Sequence, residues 1–593
     1  MKKIVRAGAL LTGALLWYGT NAHAVVPGTD LTEDQTAVSS LELDKKKTPE
    51  DEESRPKRDL GHLSGSFETN SIYYVKDKKT GAKVPKNHYG SNNFLKVDYQ
   101  RGRLSAGIQL EYYPHPLVGT PAENFESLLE GFGWGNLAGK YVAWTDRNYS
   151  VTVGDFYEQF GSGLVLRAWE DRTLGFNNSI VGGRVTFNIK DIVSGKVLYG
   201  LPRYYMMYET TQIGGADLSV SLSNAIGLRD HQLSIEGSVV NRHFDGKPAW
   251  YKEMEETFES IGEEVPYSMP LNVLSYSARL NYEYNGLLAK FEYVGKSKDA
   301  YVVPRDGDYF DKNGNAQLVE LGYSGDGYAV SAQFRRMRYM QSLMFRPNQS
   351  SASGILPGNT INYIPAFSTQ HTYMLAGLDP NVAISEGEMA GQIDAYYTFK
   401  RGTAIGGKRG MKIHANYAVS YSLDGATAEP NDHFRYRDFS FDIDKSWNKR
   451  LRTILFVSLQ KNALHNIGHY TKQNVFVLDV TYKFTPKFSL RADVEYLYAP
   501  GSKENELVAG DWVAGLVEAN FAPKWSIFVQ DMYNLGNPVE KLHYYSAGVS
   551  FTHSFARIAL TYGRNREGMI CSGGVCRLMP AYTGANLAMT LTF

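Results

Sequence analysis

The stretch Gly154 to Arg184, GDFYEQFGSGLVLRAWEDRTLGFNNSIVGGR, sets Arg167, Glu170, Asp171 and Arg172 within six residues and closes on Arg184. Guanidinium groups among carboxylates do one of two things: they form a charged constriction that recognises anionic groups, or they pair with the acids and pin a loop to a wall. Gly161 and Gly163 stand where such a loop must bend. A second set, Arg491, Asp493 and Glu495, alternates along one face of FSLRADVEYLY and offers the same mixed chemistry. Asp306, Asp308, Asp311 and Asn313 place oxygen ligands at alternate positions, a weak Ca²⁺ pattern that lacks the helix context and distal Glu of an EF-hand; Asx turns are the favoured reading. Cys571 and Cys576 flank Ser-Gly-Gly-Val, and two cysteines in an exported chain are expected to pair and staple a loop tip. No nucleophile is marked by a neighbouring base among the 13 His, so neither catalysis nor a cofactor or resident metal is expected.

These groups must be positioned by strands. In KQNVFVLDVTYKFTPKFSLRADVEYLYAP, residues 472 to 500, Phe476, Leu478, Val480, Tyr482 and Phe484 alternate with polar residues. After Thr485-Pro486-Lys487 the chain returns with Phe488, Leu490, Ala492, Val494, Tyr496 and Tyr498 on one face and Ser489, Arg491, Asp493 and Glu495 on the other. A hairpin oily on one side and wet on the other packs on a second layer in water, or turns its oily side to lipid in a membrane barrel. Aromatics are 13% of the chain with 41 Tyr, and no mature stretch reaches the roughly 18 uninterrupted apolar residues of a membrane helix. Any span must therefore be β. Lys+Arg and Asp+Glu balance at 62 each, so bulk charge gives no reason to expect a nucleic-acid partner.

Lys2, Lys3 and Arg6, an apolar run through Leu10 to Trp17, and Ala22-His23-Ala24 form an export signal over 1–24. Residues 25–59 are polar and charge-mixed, a flexible periplasmic lead. Energised transporters with about 22 strands carry a folded plug. This lead is too short for one, so a TonB-dependent receptor is not expected. Residues 60–593 read as about twelve hairpins, an antiparallel up-and-down barrel of about 24 strands (roughly 22 to 26). The pairs include 217–226 with 231–241, and 388–400 with 410–422. Long and short connections alternate strictly, the pattern of external loops and periplasmic turns, and place the chain in the outer membrane of a Gram-negative envelope.

The block GDFYEQFGSGLVLR and the closing segment CSGGVCRLMPAYTGANLAMTLTF resemble an uncharacterised, domain-of-unknown-function family of Gram-negative outer-membrane barrels. The resemblance spans most of the mature chain and implies a fold and a location rather than an activity. The last strand, with Leu587, Met589, Leu591 and Phe593 in alternation, resembles the signal read by the barrel-assembly machinery, an expected partner alongside outer-membrane lipid. A barrel this wide must be narrowed, and loops 158–182 and 341–387 are the candidates; the second holds Phe345, Ile355, Tyr363, Ile364, Phe367, Tyr373 and Met374 as anchors. The expected function is passive or ligand-gated passage of a solute through a loop-constricted lumen. The alternative is a non-transporting scaffold in surface protein export or envelope assembly.

Overall fold

The computed structural model describes residues 60–119, 135–204, 207–208, 210–228, 230–247, 249–265, 268–302, 309–344, 360–423, 433–463, 470–500, 509–539 and 541–593. The export signal, the lead, Phe345, Ile355, Asp306 and Asp308 lie outside these residues. Twenty-four antiparallel strands run from His62–Tyr74 to Tyr582–Thr592, each hydrogen-bonded to the next. The last strand returns to the first, in register from Ser66 opposite Thr592 to Tyr74 opposite Gly584. The sheet is thus a closed barrel without a free edge, as a strand array in hydrocarbon requires. Both ends of the barrel lie on the side of the tight turns, and Phe593 and Gly65 exchange backbone hydrogen bonds of 2.9 and 3.0 Å there.

The burial pattern is inverted relative to a water-soluble sheet. In Leu451–Asn462, Leu455 is 52% exposed while Ser458 is 0% and Gln460 3% exposed. In Phe488–Tyr498, Val494 is 66% exposed while Arg491, Asp493 and Glu495 turn inward. Polar side chains face the lumen and apolar ones face outward, where acyl chains cover them. At the turn side Phe484 stacks on Phe488 (5.3 Å) and Phe488 on Phe521 (4.9 Å), with Trp525 and Phe551 beside them at 4.7 Å. At the opposite end Phe434 packs against Tyr421 and Tyr470. Aromatics at both ends mark the two interfaces of the bilayer.

Two expectations change. The segment 217–226 is not strand throughout: the strand Gln212–Ser221 stops, and Leu222–Ile226 forms a short helix. Ser221 caps it by accepting a hydrogen bond from Asn224, and Gly227 ends it at φ 76°. Nor do long and short connections alternate strictly. This helix-bearing turn and the folded connection 400–410 both lie on the short side. The latter is held by Gly407 N to Thr403 O (2.7 Å) and Gly402 N to Gly407 O (2.8 Å).

Leu478, 45% exposed near the middle of Thr471–Thr485, faces the hydrocarbon. Leu478→Arg is expected to cost about 2–4 kcal/mol of folding stability, measured by denaturant titration in lipid vesicles.

Candidate functional site

Three loops from the outer end fold into the lumen. The first, between the strands Tyr149–Phe156 and Ile180–Ile189, forms two small hairpins, Glu158–Phe160 with Leu166–Ala168 and Glu170–Asp171 with Phe176–Asn177. Phe160, Leu164, Val165, Leu166 and Ala168 pack against inward wall residues Ile180, Leu198, Ile213, Val240, Val294 and Met337. Gly161, at φ 55°, lies so near the wall that an added Cβ would come within 2.6 Å of the Arg279 guanidinium. A larger residue there would strain the left-handed backbone and displace the tips of Arg279 and Glu292.

The second loop, 360–386, seats Tyr373, Leu375, Ala376 and Leu378 on Phe456, Val475, Val477, Leu497 and Trp512. The third is the hairpin Gly568–Ser572 with Val575–Met579, closed by the Cys571–Cys576 disulfide. It is tucked against the second loop instead of standing free as a tip. Ala366 N donates to Gly574 O (2.9 Å), the Tyr363 hydroxyl donates to Gly573 O, and Arg566 donates to Leu378 O (2.8 Å).

Charge holds these loops to the wall. Arg172 lies 2.5 Å from Glu68 of the first strand and 3.2 Å from Glu170. Glu170 also accepts from Gln109 (3.0 Å) and Tyr157 (3.2 Å). Burial alone raises the Glu170 carboxyl, but Arg172, Arg203 and Gln109 outweigh it and hold it below its ordinary value of 4.5. Asp171 turns back on its own loop, accepting from Leu174 N at 2.7 Å. Arg184 and Lys196 both reach Glu158, at 3.2 and 2.7 Å. Arg167 is clasped between the rings of Trp169 (4.1 Å) and Tyr363 (3.8 Å), which joins the first loop to the second. Glu495 accepts the backbone N–H groups of Met374 (3.0 Å) and Leu375 (2.8 Å), and Arg491 bridges Asp479 (3.0 Å) and Asp493 (3.2 Å).

Sequence reasoning missed the loop residue Glu158 and the wall partners Glu68, Glu111, Arg203, Arg242, Asp299, Arg335 and Glu388. Arg203 pairs with Glu111 at 2.5 Å, Arg242 with Asp299 at 2.6 Å and Arg335 with Glu388 at 3.2 Å, all buried. Their inward parity was readable, since charges on the lumen face of a strand need company. His414 is held between Asp394 and Asp442, each at 2.8 Å, with both ring nitrogens engaged and neither left to activate a nucleophile. Asp311 accepts from Ser268 (2.5 Å) and Lys298 (2.9 Å), and among the described residues no His, Cys, Asp and Glu cluster has metal-binding geometry.

Between loops and wall the lumen keeps a cavity of about 1860 Å³, reaching from Ser66, Thr145, Ser150 and Thr592 at the turn side to Arg167, Arg172, Tyr363 and Tyr373 on the loops. A second space of about 1050 Å³ lies under Gly161 and Ser162, bordered by Glu236, Arg279, Lys290 and Glu292.

A closed 24-strand barrel with lipid-facing apolar side chains and a polar lumen is an outer-membrane β-barrel protein. The chain belongs to the family of unknown function DUF6029, whose profile matches residues 35–593. No curated protein matches the sequence. The structure is similar to that of the P pilus usher (PapC) translocation pore, with 8% identity over 90% of this chain and 99% of that one, TM-score 0.41. It is also similar to Pseudomonas aeruginosa OccK3 (OpdO), 11% identical over 74% and 96% of the two chains, TM-score 0.35. The outer membrane transporter YddB from Escherichia coli is 7% identical over 90% and 80%, TM-score 0.38.

Two outcomes are expected from hydrogen exchange. Because the Glu170 pKa is depressed, its contribution is complete above the ordinary value of 4.5 and is lost as pH falls through the lowered one. Protection factors across 166–178, taken relative to the intrinsic exchange rate at each pH, should therefore stay flat from pH 7 to pH 5 and fall below 4.5, whereas Glu170→Gln should show the lower protection already at pH 7. Separately, Glu495→Ala leaves the buried Leu375 amide and the half-buried Met374 amide without that acceptor, a loss of about 1–3 kcal/mol at that contact, read as faster exchange at 373–378 with the rest of the loop network unchanged.

Proposed function

We propose that this protein is a gated channel of the outer membrane, in which the three inward loops decide what crosses the lumen. The observation that carries this reading is the coexistence of a barrel wider than the roughly 16 to 18 strands that already leave an aqueous channel with loops that fill its outer part yet leave a polar cavity. The seats of those loops combine apolar packing with individual carboxylate contacts, so a ligand that competes for the contacts has a way to shift the loops. Paired charges line the cavity in both signs, so passage is governed by size and loop position more than by steep ion selection. In this reading residues 1–24 direct export, 25–59 remain a periplasmic lead, and the strand ending in Phe593 engages the barrel-assembly machinery. The constriction comprises Arg167, Glu170, Asp171, Arg172, Arg184, Arg491, Asp493 and Glu495.

Planar-bilayer conductance tests it. Purified protein is expected to give small ohmic steps, and deletion of residues 345–380 to enlarge them several-fold. A deletion variant that folds, shown by heat-dependent mobility in gel electrophoresis, yet conducts no more than the full chain would count against the loops as the gate.

A further inference from the structure

The turn side of the barrel carries a cluster of mostly exposed cations next to side chains on the outward face of the wall. Connection 400–410, its compact loop, is seated on the outside of the neighbouring strand Phe434–Ser446: Lys445 donates to Ile405 O (2.9 Å) and Gly406 O (2.7 Å). Lys445 shares the outward face of Phe439, which is 40% exposed. Trp447, 59% exposed, donates from its indole nitrogen to Thr453 (2.9 Å), on the outward face with Leu455. Ile405, 57% exposed, projects from the loop. Around these apolar groups stand Arg401, Lys408, Arg409, Lys449, Arg450 and, one hairpin on, Lys487. None of these six has a carboxylate partner among the described residues; the nearby acids Asp326 and Asp444 are engaged by Lys400 (2.8 Å) and Arg452 (2.9 Å). Phe484, Phe488 and Phe521 continue the same band of interfacial rings.

We propose that this rim binds the headgroups of anionic phospholipids in the periplasmic leaflet of the outer membrane. Short turns face the periplasm in barrels of this kind, which sets the level of the rim at the inner-leaflet phosphates. An anionic lipid alone presents, at that depth and on the outward surface, both acyl chain for Ile405 and Trp447 and negative charge for the guanidinium and ammonium groups. A soluble acidic protein has the charge but cannot reach a face continuous with the hydrocarbon belt. The inference is independent of whether the lumen conducts.

The test reconstitutes the full mature chain in equimolar phosphatidylcholine and phosphatidylglycerol vesicles and counts lipids retained on extraction by native mass spectrometry. The wild type is expected to retain phosphatidylglycerol at least about fivefold over phosphatidylcholine, and the quintuple exchange of Arg401, Lys408, Arg409, Lys449 and Arg450 to Gln to bring the ratio near one. Lys445→Met keeps those five charges but unseats the loop, and an intermediate ratio is expected, which serves even if the quintuple variant folds poorly. Equal retention of the two lipids by the wild type, or an undiminished preference in both variants, overturns the proposal. So does full displacement of the lipid by millimolar inorganic phosphate, which would mark a site for phosphate rather than for lipid. Binding of soluble polyglutamate at the rim with no lipid preference overturns it in favour of an acidic protein partner.

Discussion

Every backbone N–H and C=O that crosses hydrocarbon must find its partner inside the protein, and here that requirement is met by pairing His62–Tyr74 with Tyr582–Thr592. An open sheet of the same strands would leave two rows of unpaired groups in lipid. Closure fixes the inside and outside of every strand at once, because side chains alternate with a period of two. The lipid-facing Leu455 and the buried Ser458 are consequences of one register, and a slip by a single residue would exchange their environments.

Closure at this strand number creates the second problem, an interior too wide for wall side chains to fill. The chain answers with its own outer loops. Apolar residues of 158–168 and 373–378 give the loops mass and surface to bury, while charges on the wall give them an address. A buried Arg without a carboxylate carries a large desolvation cost, and the reverse holds for a buried Glu, so Arg203 with Glu111 and Arg335 with Glu388 fix register and position more than they add net stability. The loops are held by many modest contacts spread over both layers of packing and charge.

Much of the wall was legible in the sequence because strand period and turn chemistry are local. Asn285-Gly286 joins the strands Asn272–Tyr284 and Leu287–Val302 with φ of 46° and 84°, as a tight hairpin needs. Leu222–Ile226 escaped notice because its residues continue the strand pattern, and only the pairing of Ser221 with Gly227 as caps distinguishes it. The cluster Arg167, Glu170, Asp171 and Arg172 could be found, but its residues part ways in the fold: Arg167 goes to aromatic rings, Arg172 to the first strand, Asp171 to its own turn. Sequence separation explains why. The contact between Arg172 and Glu68, like that between Glu495 and the Met374 amide, joins segments about a hundred residues apart, and no local period encodes it. Spacing likewise suggested that Cys571 and Cys576 pair, but not that their hairpin rests on Ala366 and Leu378.

That hairpin lies only a few residues before the final strand. Its supports at Tyr363, Ala366 and Leu378 belong to a loop some two hundred residues earlier in the chain. A nascent barrel lacking its C-terminal portion therefore has neither its seam nor the wedge that braces its middle loop. The same C-terminal stretch thus closes the wall and braces the interior, so a chain truncated before it loses the seam and the wedge together.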